Sequence, residues 1–308
     1  MEKIILIDTF NFLHRAYHAL PNTFRSPDGE PTNAVYGVTS MLINLFSEVK
    51  PNYVVAALDM QEATFRIEDF TGYKAQRKPM EEDLSSQIPK VIEIMEAFGI
   101  KIVGVNGYEA DDVIATVAKT YEHNYEIVIV SNDRDLWQLA SDTVSIMLPN
   151  TKGAVEWLGP KEVLARFGFP PSKIADYKGL RGDPSDNIPG VYGIGEKTAT
   201  DLIKKYGSLE EIYKNVEKIE QHSLKEKLIN SYEQAVMSKK LACLIMDVPF
   251  QLDIKDARYK TLNKLQVKEV LEKYNFKSLI RRLGFDDDSS LKRNAKTNEV
   301  NKDQLALF

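Results

Sequence analysis

Apolar positions in the first half of the chain fall into short continuous runs rather than alternating ones. Residues 3–7 (KIILI), 53–58 (YVVAAL), 101–105 (KIVGV) and 126–131 (EIVIVS) are of this kind, with a fifth short run at 143–148 (TVSIML). Such runs, bounded by polar residues, predict strands buried on both faces, as in a parallel sheet. Between them, 34–49 and 88–98 carry apolar side chains at helical spacing, the second closed by Gly99, and 111–121 is amphipathic with acids at its start. This alternation predicts an α/β fold, a mostly parallel sheet flanked by helices. From about residue 160 the strand pattern fades. Short helices are predicted at 160–167, 172–180, 197–206, 209–216, 223–237 and 265–274, forming a helical C-terminal region. Beyond 285 the chain is polar up to a terminal QLALF and is expected to be disordered. The expected domains are therefore 1–160, 161–285 and 286–308.

The predicted strands share a second feature: each runs into carboxylates. The first ends at Asp8 and the second at Asp59; the third leads to Glu109, Asp111 and Asp112, and the fourth to Asp133 and Asp135. In a parallel α/β sheet the functional crevice lies at the carboxyl ends of the strands. Acids far apart in sequence are thus expected to converge there. Clustered carboxylates raise one another's pKa unless cations neutralise them, and the simplest occupants are hard divalent ions, Mg²⁺ or Mn²⁺. Taken alone, GYEADD (107–112) is as readily a run of acids complementing a helix N-terminus, and SNDRDL (131–136) a turn with an aspartate cap. Four strand ends together weaken those alternatives.

Further acids, Asp183 and Asp186, precede a Pro/Gly loop in RGDPSDNIPGVYGIGEKTA (181–199). Gly190, Gly193 and Gly195 permit close approach of backbone to phosphate, and the helix that follows offers free N–H groups, Lys197, Thr198, Lys204 and Lys205. A sequence-independent phosphate grip is expected, against the alternative of an ordinary glycine-rich connection. The string is not a Walker loop, because its spacing departs from GxxxxGK[ST]. In FRIEDFTGYKAQRKP (65–79), Arg66, Lys74, Arg77 and Lys78 alternate with Phe65, Phe70 and Tyr73. That mixture suits single-stranded backbone with stacked bases, or else a solvated charged loop. Arg15, two helical turns after Asp8, either reaches the crevice or covers a helix. His14 and His18 share a helical face but have no third ligand in view.

Composition alters this picture at three points. The single cysteine, Cys243, excludes a disulfide framework and suits a reducing cytoplasm. No apolar run is long enough to span a membrane, so an intracellular protein without a membrane partner is expected. The net charge of −5 by itself disfavours nucleic acid, but setting aside the nine candidate acids leaves +4 on the rest of the chain.

These strings, FRxxxxxGYKAQR, GYEADD, the Asp-x-Asp of SNDRDL and GDPSDNIPGVYGIGEKTA, occur in an order that resembles the 5′-nuclease domain of bacterial DNA polymerase I and the stand-alone bacterial 5′–3′ exonucleases of the flap-endonuclease superfamily. The resemblance runs from about Ile4 to Gly284. It implies a PIN-like fold with a helix–three-turn–helix motif at 190–198, which in the family grips duplex DNA and often holds K⁺. It implies two metal sites: Asp8, Asp59, Glu109 and Asp111, with Asp112 as a further acid, for the first; Asp135, Asp183 and Asp186 for the second; and Asp133 near both. Lys74 and Arg77 correspond to basic residues that meet the scissile phosphate, Tyr73 to a stacking partner, and Arg15 to an arginine near the site. Thr9 stands where the family usually has Gly, and Arg134 replaces a commoner Lys; neither change removes a ligand. The terminal QLALF resembles a sliding-clamp docking peptide, with Gln304, Leu305, Leu307 and Phe308 as its anchors.

The expectation is a two-metal 5′–3′ exonuclease and 5′-flap endonuclease acting on DNA and on RNA–DNA primer junctions. A phosphatase using Asp8 as nucleophile is the first alternative, but that chemistry wants an acid two residues on, where Phe10 stands. A non-catalytic flap-DNA scaffold is the second, and the complete acid set argues against it.

Overall fold

A computed structural model describes residues 1–60, 62–148, 155–260 and 262–285. Six strands form one sheet: β1 (Lys3–Asp8), β2 (Tyr53–Ala57), β3 (Lys101–Val103), β4 (Glu126–Val130), β5 (Val144–Leu148) and β6 (Glu156–Leu158), in the order β3-β2-β1-β4-β5-β6. β1 runs parallel to both β2 and β4, and β4 parallel to β5. β6 is antiparallel to β5. It was not predicted, because three residues with two exposed side chains carry no periodic signal. β3 is shorter than predicted: the chain leaves the ladder at Gly104, where a Cβ would lie 2.5 Å from the Met60 sulfur.

The order places the topological switch at β1. The chain fills the sheet outward on one side, then returns to lay β4 against β1's other edge, which opens a crevice at their carboxyl ends. β1 is central, and Ile4, Ile5, Leu6 and Ile7 are each at most 1% exposed. Burying each contributes about 1.5–3 kcal/mol relative to exposure. The helix Ala110–Tyr121 buries eight of its twelve residues, six of them in the same hydrophobic core.

The described chain forms two compact units. Met1–Phe12, Pro51–Met80 and Ile102–Arg258 make up one; Leu13–Lys50, Glu81–Lys101 and the residues from Tyr259 on make up the other. Residue 160 is therefore interior to the first unit, whose core runs without a break from β1 to the C-terminal helices. Within that unit the predicted helix 223–237 is two helices, His222–Asn230 and Tyr232–Ala242, separated at Ser231 by a non-helical backbone. In the second unit, Asn33–Val49 packs on Ile88–Ala97, and buried Gln87 accepts the N–H groups of Ala34 (2.9 Å) and Val35 (3.3 Å). Among the described residues no helix is long and apolar enough to cross a membrane.

Candidate active site

The carboxylates at the strand ends all belong to the first unit. Asp8 closes β1 and is 7% exposed. Its carboxylate accepts the Asn11 N–H at 3.0 Å and the Ser131 hydroxyl at 2.8 Å. Burial pushes its pKa up to about 6; these two hydrogen bonds oppose the shift, while Asp59 and Asp133 add to it. β4 delivers Ser131, whose hydroxyl oxygen in turn accepts the Asp133 N–H (3.0 Å). Asp133 Oδ1 accepts the Asp135 N–H (2.8 Å), which turns the chain into a 3-10 helix, Asp135–Leu139. The serine thus fixes β1's acid to β4's acids.

Asp59 follows β2, is exposed, and accepts the Ala110 N–H at 2.7 Å. That bond ties a strand end to the first turn of helix Ala110–Tyr121, where Glu109 and Asp112 form a reciprocal capping box. Asp111 projects from the same turn. Its pKa lies well above the usual carboxylate range, through burial first and then through repulsion from Asp133 and Asp8. Asp133 is shifted the same way, chiefly by burial.

The acids on the other side of the crevice already hold cationic side chains of this chain. Tyr73 donates from one hydroxyl toward Glu109 (3.1 Å) and Asp186 (3.3 Å), the Lys74 ammonium lies 2.9 Å from Glu109 and 3.9 Å from Asp186, and Arg77 donates to Asp186 at 2.6 Å. Backbone joins the same partners: the Lys74 N–H donates to the Asp186 carbonyl (2.9 Å) and the Asn187 side chain to the Gly72 carbonyl (2.6 Å). Lys74 and Asn187 both adopt left-handed backbone, φ +53° and +57°. GYKAQR and DPSDN, over a hundred residues apart in sequence, are therefore one structural piece. Asp183 accepts the Ser185 N–H (2.9 Å) and hydroxyl (2.5 Å) and pairs with Lys178; burial works to raise its pKa, but these partners hold it below the ordinary value.

Three expected site residues lie inside the protein. Arg66 is 2% exposed and grips Asp112 with two bonds (2.6 and 2.7 Å), so it is a core ion pair and not a surface for DNA. Asp112 is fully buried, with its oxygens engaged by Arg66, the Ile245 N–H and the Glu109 N–H. Tyr73 is 4% exposed, which leaves no ring face for a base. In the glycine loop, Gly190 has φ +63°, donates its N–H to Ser238 and gives its carbonyl to Gln234, so its polar groups are spent inside the protein. Gly193 (φ +74°) accepts the Lys227 ammonium. Gly195 caps helix Glu196–Tyr206, with Lys197 exposed and Thr198 half-buried in its first turn. Arg15 lies in the other unit, on helix Thr9–Ala19, where burial lowers its pKa. Gln304, Leu305, Leu307 and Phe308 lie outside the described residues.

The residue that sequence reasoning missed is Lys178, buried between Asp135 and Asp183. Its signal was a lone lysine on a helix, Ile174–Arg181, whose residues 174–180 are all buried. Among the described residues no three Asp, Glu, His or Cys side chains are already gathered around one point as metal ligands. The donor set is nevertheless all oxygen, and Asp8, Asp111 and Asp133 are shifted upward by burial first and by neighbouring acids second, an environment that suits a hard divalent cation.

A mostly parallel sheet whose strand ends carry buried, clustered acids defines the class: an α/β protein with an acidic crevice at the carboxyl ends of its strands. The chain belongs to the 5′–3′ exonuclease family: residues 3–168 match its N-terminal resolvase-like domain and residues 169–265 its C-terminal SAM fold. It is 42% identical over 289 residues to DNA polymerase I of Caldicellulosiruptor bescii, covering 92% of this chain and 34% of that protein. It is 36% identical over 303 residues to DNA polymerase I of Bacillus subtilis, covering 97% and 34%. The chain thus spans about a third of the length of these polymerases. The T5 5′-exonuclease with divalent zinc bound has the same fold, with a TM-score of 0.65 at 22% identity, covering 89% of this chain and 100% of that one. The catalytic core of Rad2 in complex with DNA substrate gives 0.60 at 15% identity, covering 88% and 86%.

Proposed function

We propose that this chain hydrolyses DNA phosphodiester bonds at 5′ ends and 5′ flaps, including RNA–DNA primer junctions, with two divalent cations. One observation carries the reading: Asp8, Asp111 and Asp133, from three sheet-end elements, all have pKa values raised first by burial and then by neighbouring acids, at the crevice where the fold places its ligands. Asp8, Asp59, Glu109, Asp111 and Asp133 would hold one Mg²⁺ or Mn²⁺, and Asp133, Asp135, Asp183 and Asp186 the other. When bound, such a pair supplies an activated water and neutralises the departing 3′ oxygen.

The chain's own residues do the rest. Arg77, with 54% of its side chain exposed, turns from Asp186 to the non-bridging phosphate oxygens, and Lys74 shifts from Glu109 to the same group. Tyr73 orients Glu109 and Asp186 through its hydroxyl. The first turn of helix Glu196–Tyr206, with exposed Lys197, grips the duplex backbone, and exposed Lys204 and Lys205 in its last turn extend the basic surface. A K⁺ ion at residues 190–198 would take the place of the Lys227 ammonium on the Gly193 carbonyl. Residues 1–160 supply most of the nuclease chemistry, with Asp183 and Asp186 joining from 161–285, which otherwise provides the DNA grip. The sequence QLALF supports docking on a sliding clamp, and the family's work on DNA supports a cytoplasmic location.

The test is cleavage of a 5′-flap DNA in Mg²⁺ against EDTA, with Asp59→Asn and Asp111→Asn. Cleavage is expected to vanish in EDTA and fall at least about a hundredfold in each variant. Undiminished cleavage in both variants would overturn the reading. Deleting 304–308 is expected to abolish clamp binding and leave cleavage intact; unchanged binding refutes the docking.

A further inference from the structure

Lys178 is 7% exposed and sits among buried side chains. Its ammonium donates to Asp135 Oδ1 and lies 2.5 Å from Asp183 Oδ2. The two acids arrive from different directions, Asp135 after β4 and Asp183 just beyond the lysine's own helix. Asp135 is buried and Asp183 half-buried; two carboxylates this close to one point call for a cation between them, and the lysine supplies one. Only half of their charge is met: two carboxylates and one ammonium leave a net charge of −1, whereas a divalent ion would balance both. The opposite side of the crevice differs. There Asp8 is held by the Asn11 N–H and the Ser131 hydroxyl, and Lys178 and Lys74 oppose the upward shift of Asp133 without reversing it. A lysine is also the cation best suited to leave, being a point charge on a flexible four-carbon stem rather than a rigid fork.

We infer that Lys178 is a built-in counter-ion that holds the Asp135–Asp183 site until a divalent cation displaces it, so that this site is the weaker of the two and sets the protein's divalent-ion threshold. The inference rests on reading these acids as metal ligands. It makes Lys178 a positioning residue: it keeps the acids together when no divalent ion is bound, at the cost of affinity when one arrives.

The probe is Mn²⁺, followed by titration calorimetry and by the paramagnetic signal of the free ion, on the full chain. Wild type is expected to bind two ions with unequal affinity. Lys178→Met should tighten the weaker event about tenfold or more, since a like charge within about 4 Å is removed, and leave the stronger event within about twofold. Lys178→Arg should keep the weaker event at or below wild-type affinity. Asp183→Asn should remove the weaker event alone. Lys178→Met strips a buried counter-ion, so its melting temperature in EDTA should fall and its rise on adding Mn²⁺ should exceed that of wild type. Should that variant fail to fold, Lys178→Gln, which keeps a donor without the charge, carries the same expectations. An unchanged or weakened second event in Lys178→Met or Lys178→Gln overturns the inference and leaves Lys178 a structural ion pair. Absence of any Mn²⁺ binding in wild type, or binding insensitive to both Asp8→Asn and Asp183→Asn, overturns the metal reading itself.

Discussion

Arg66 and Asp112, 46 residues apart, form a two-pronged ion pair in the core, with Nη1–Oδ2 at 2.6 Å and Nη2–Oδ1 at 2.7 Å. The same guanidinium donates to the carbonyls of Leu241 (3.0 Å) and Cys243 (2.8 Å), and Asp112 accepts the Ile245 N–H (2.9 Å). The pair therefore joins the short helix Phe65–Asp69, the first turn of helix Ala110–Tyr121 and the segment after helix Tyr232–Ala242. Glu109, its neighbour in the capping box, is held in place by it.

Breaking this pair from one side leaves a buried charge without its partner. Asp112→Ala is expected to cost about 3–5 kcal/mol in urea unfolding, and Arg66→Ala a similar amount. Double replacement by Met and Leu should cost clearly less than the sum of the two single changes. Additive losses would show that the two side chains do not act as one unit.

Acid pKa values at the crevice make stability depend on pH in an unusual direction. Folding raises the Asp8 pKa from 3.8 to about 6 through burial first. A group raised on folding gives its full contribution below the unfolded value, near 4, and loses it as pH climbs through about 6. The loss for Asp8 alone is roughly 3 kcal/mol by pH 7. Asp111 and Asp133 shift in the same direction. In EDTA, Asp8→Asn is therefore expected to melt higher than wild type at pH 7.5 and to show a flatter stability profile between pH 4 and 6. Mn²⁺ should stabilise wild type, by about 2.7 kcal/mol at a hundredfold excess over Kd, and should stabilise Asp8→Asn less. A lower melting temperature for Asp8→Asn in EDTA would contradict the sign of this shift.

Two loop glycines separate backbone constraint from surface contact. At Gly190 a Cβ would sit 2.1 Å from the Gly182 nitrogen, and the residue has φ +63°. Gly190→Ala should destabilise by about 2 kcal/mol or more, read as a fall in melting temperature. At Gly195 a Cβ would meet nothing within 4 Å, and φ is −91°. Gly195→Ala should melt within about a degree of wild type. Any change it makes would appear in duplex-DNA affinity alone.

The basic pair should act on rate more than on structure. Arg77→Ala and Lys74→Ala are each expected to lower single-turnover cleavage about a hundredfold, with flap affinity reduced far less. Tyr73→Leu, which removes the ring and keeps an apolar side chain, should leave flap affinity unchanged, because the buried ring is not offered to a base. A large affinity loss in Tyr73→Leu, with Tyr73→Phe unaffected, would restore the stacking role expected from sequence.

The sheet was legible because its strands are buried on both faces and so read as unbroken apolar runs, and the strand-end acids were visible because nothing apolar could stand in their place. Periodicity was weaker where burial was partial. β6 is three residues long, and helix Lys277–Arg282 only six, too short for a repeating pattern to emerge. Among the site residues, type and spacing located the crevice but could not assign partners. FRIEDFTGYKAQRKP reads as a uniform basic and aromatic stretch, yet Arg66 points into the core and Arg77 has half its side chain in solvent. Likewise, Asp111 and Asp112 are adjacent in sequence, but successive residues on a helix project about 100° apart, so one faces the acids of the crevice and the other Arg66.

By itself, then, the sequence determined the α/β architecture and a surplus of acids at strand ends, while the strand order that sets the crevice at β1 came from the fold. The first two follow from local hydrophobic pattern and from residue type. Tertiary structure alone decided which of those acids remain mutually repelling and which are neutralised by Lys74, Arg77, Arg66 and Lys178, each brought from 35 to 109 residues away. Charge pairing depends on distance in space, and nothing in a local pattern encodes a distance between residues that only folding brings together.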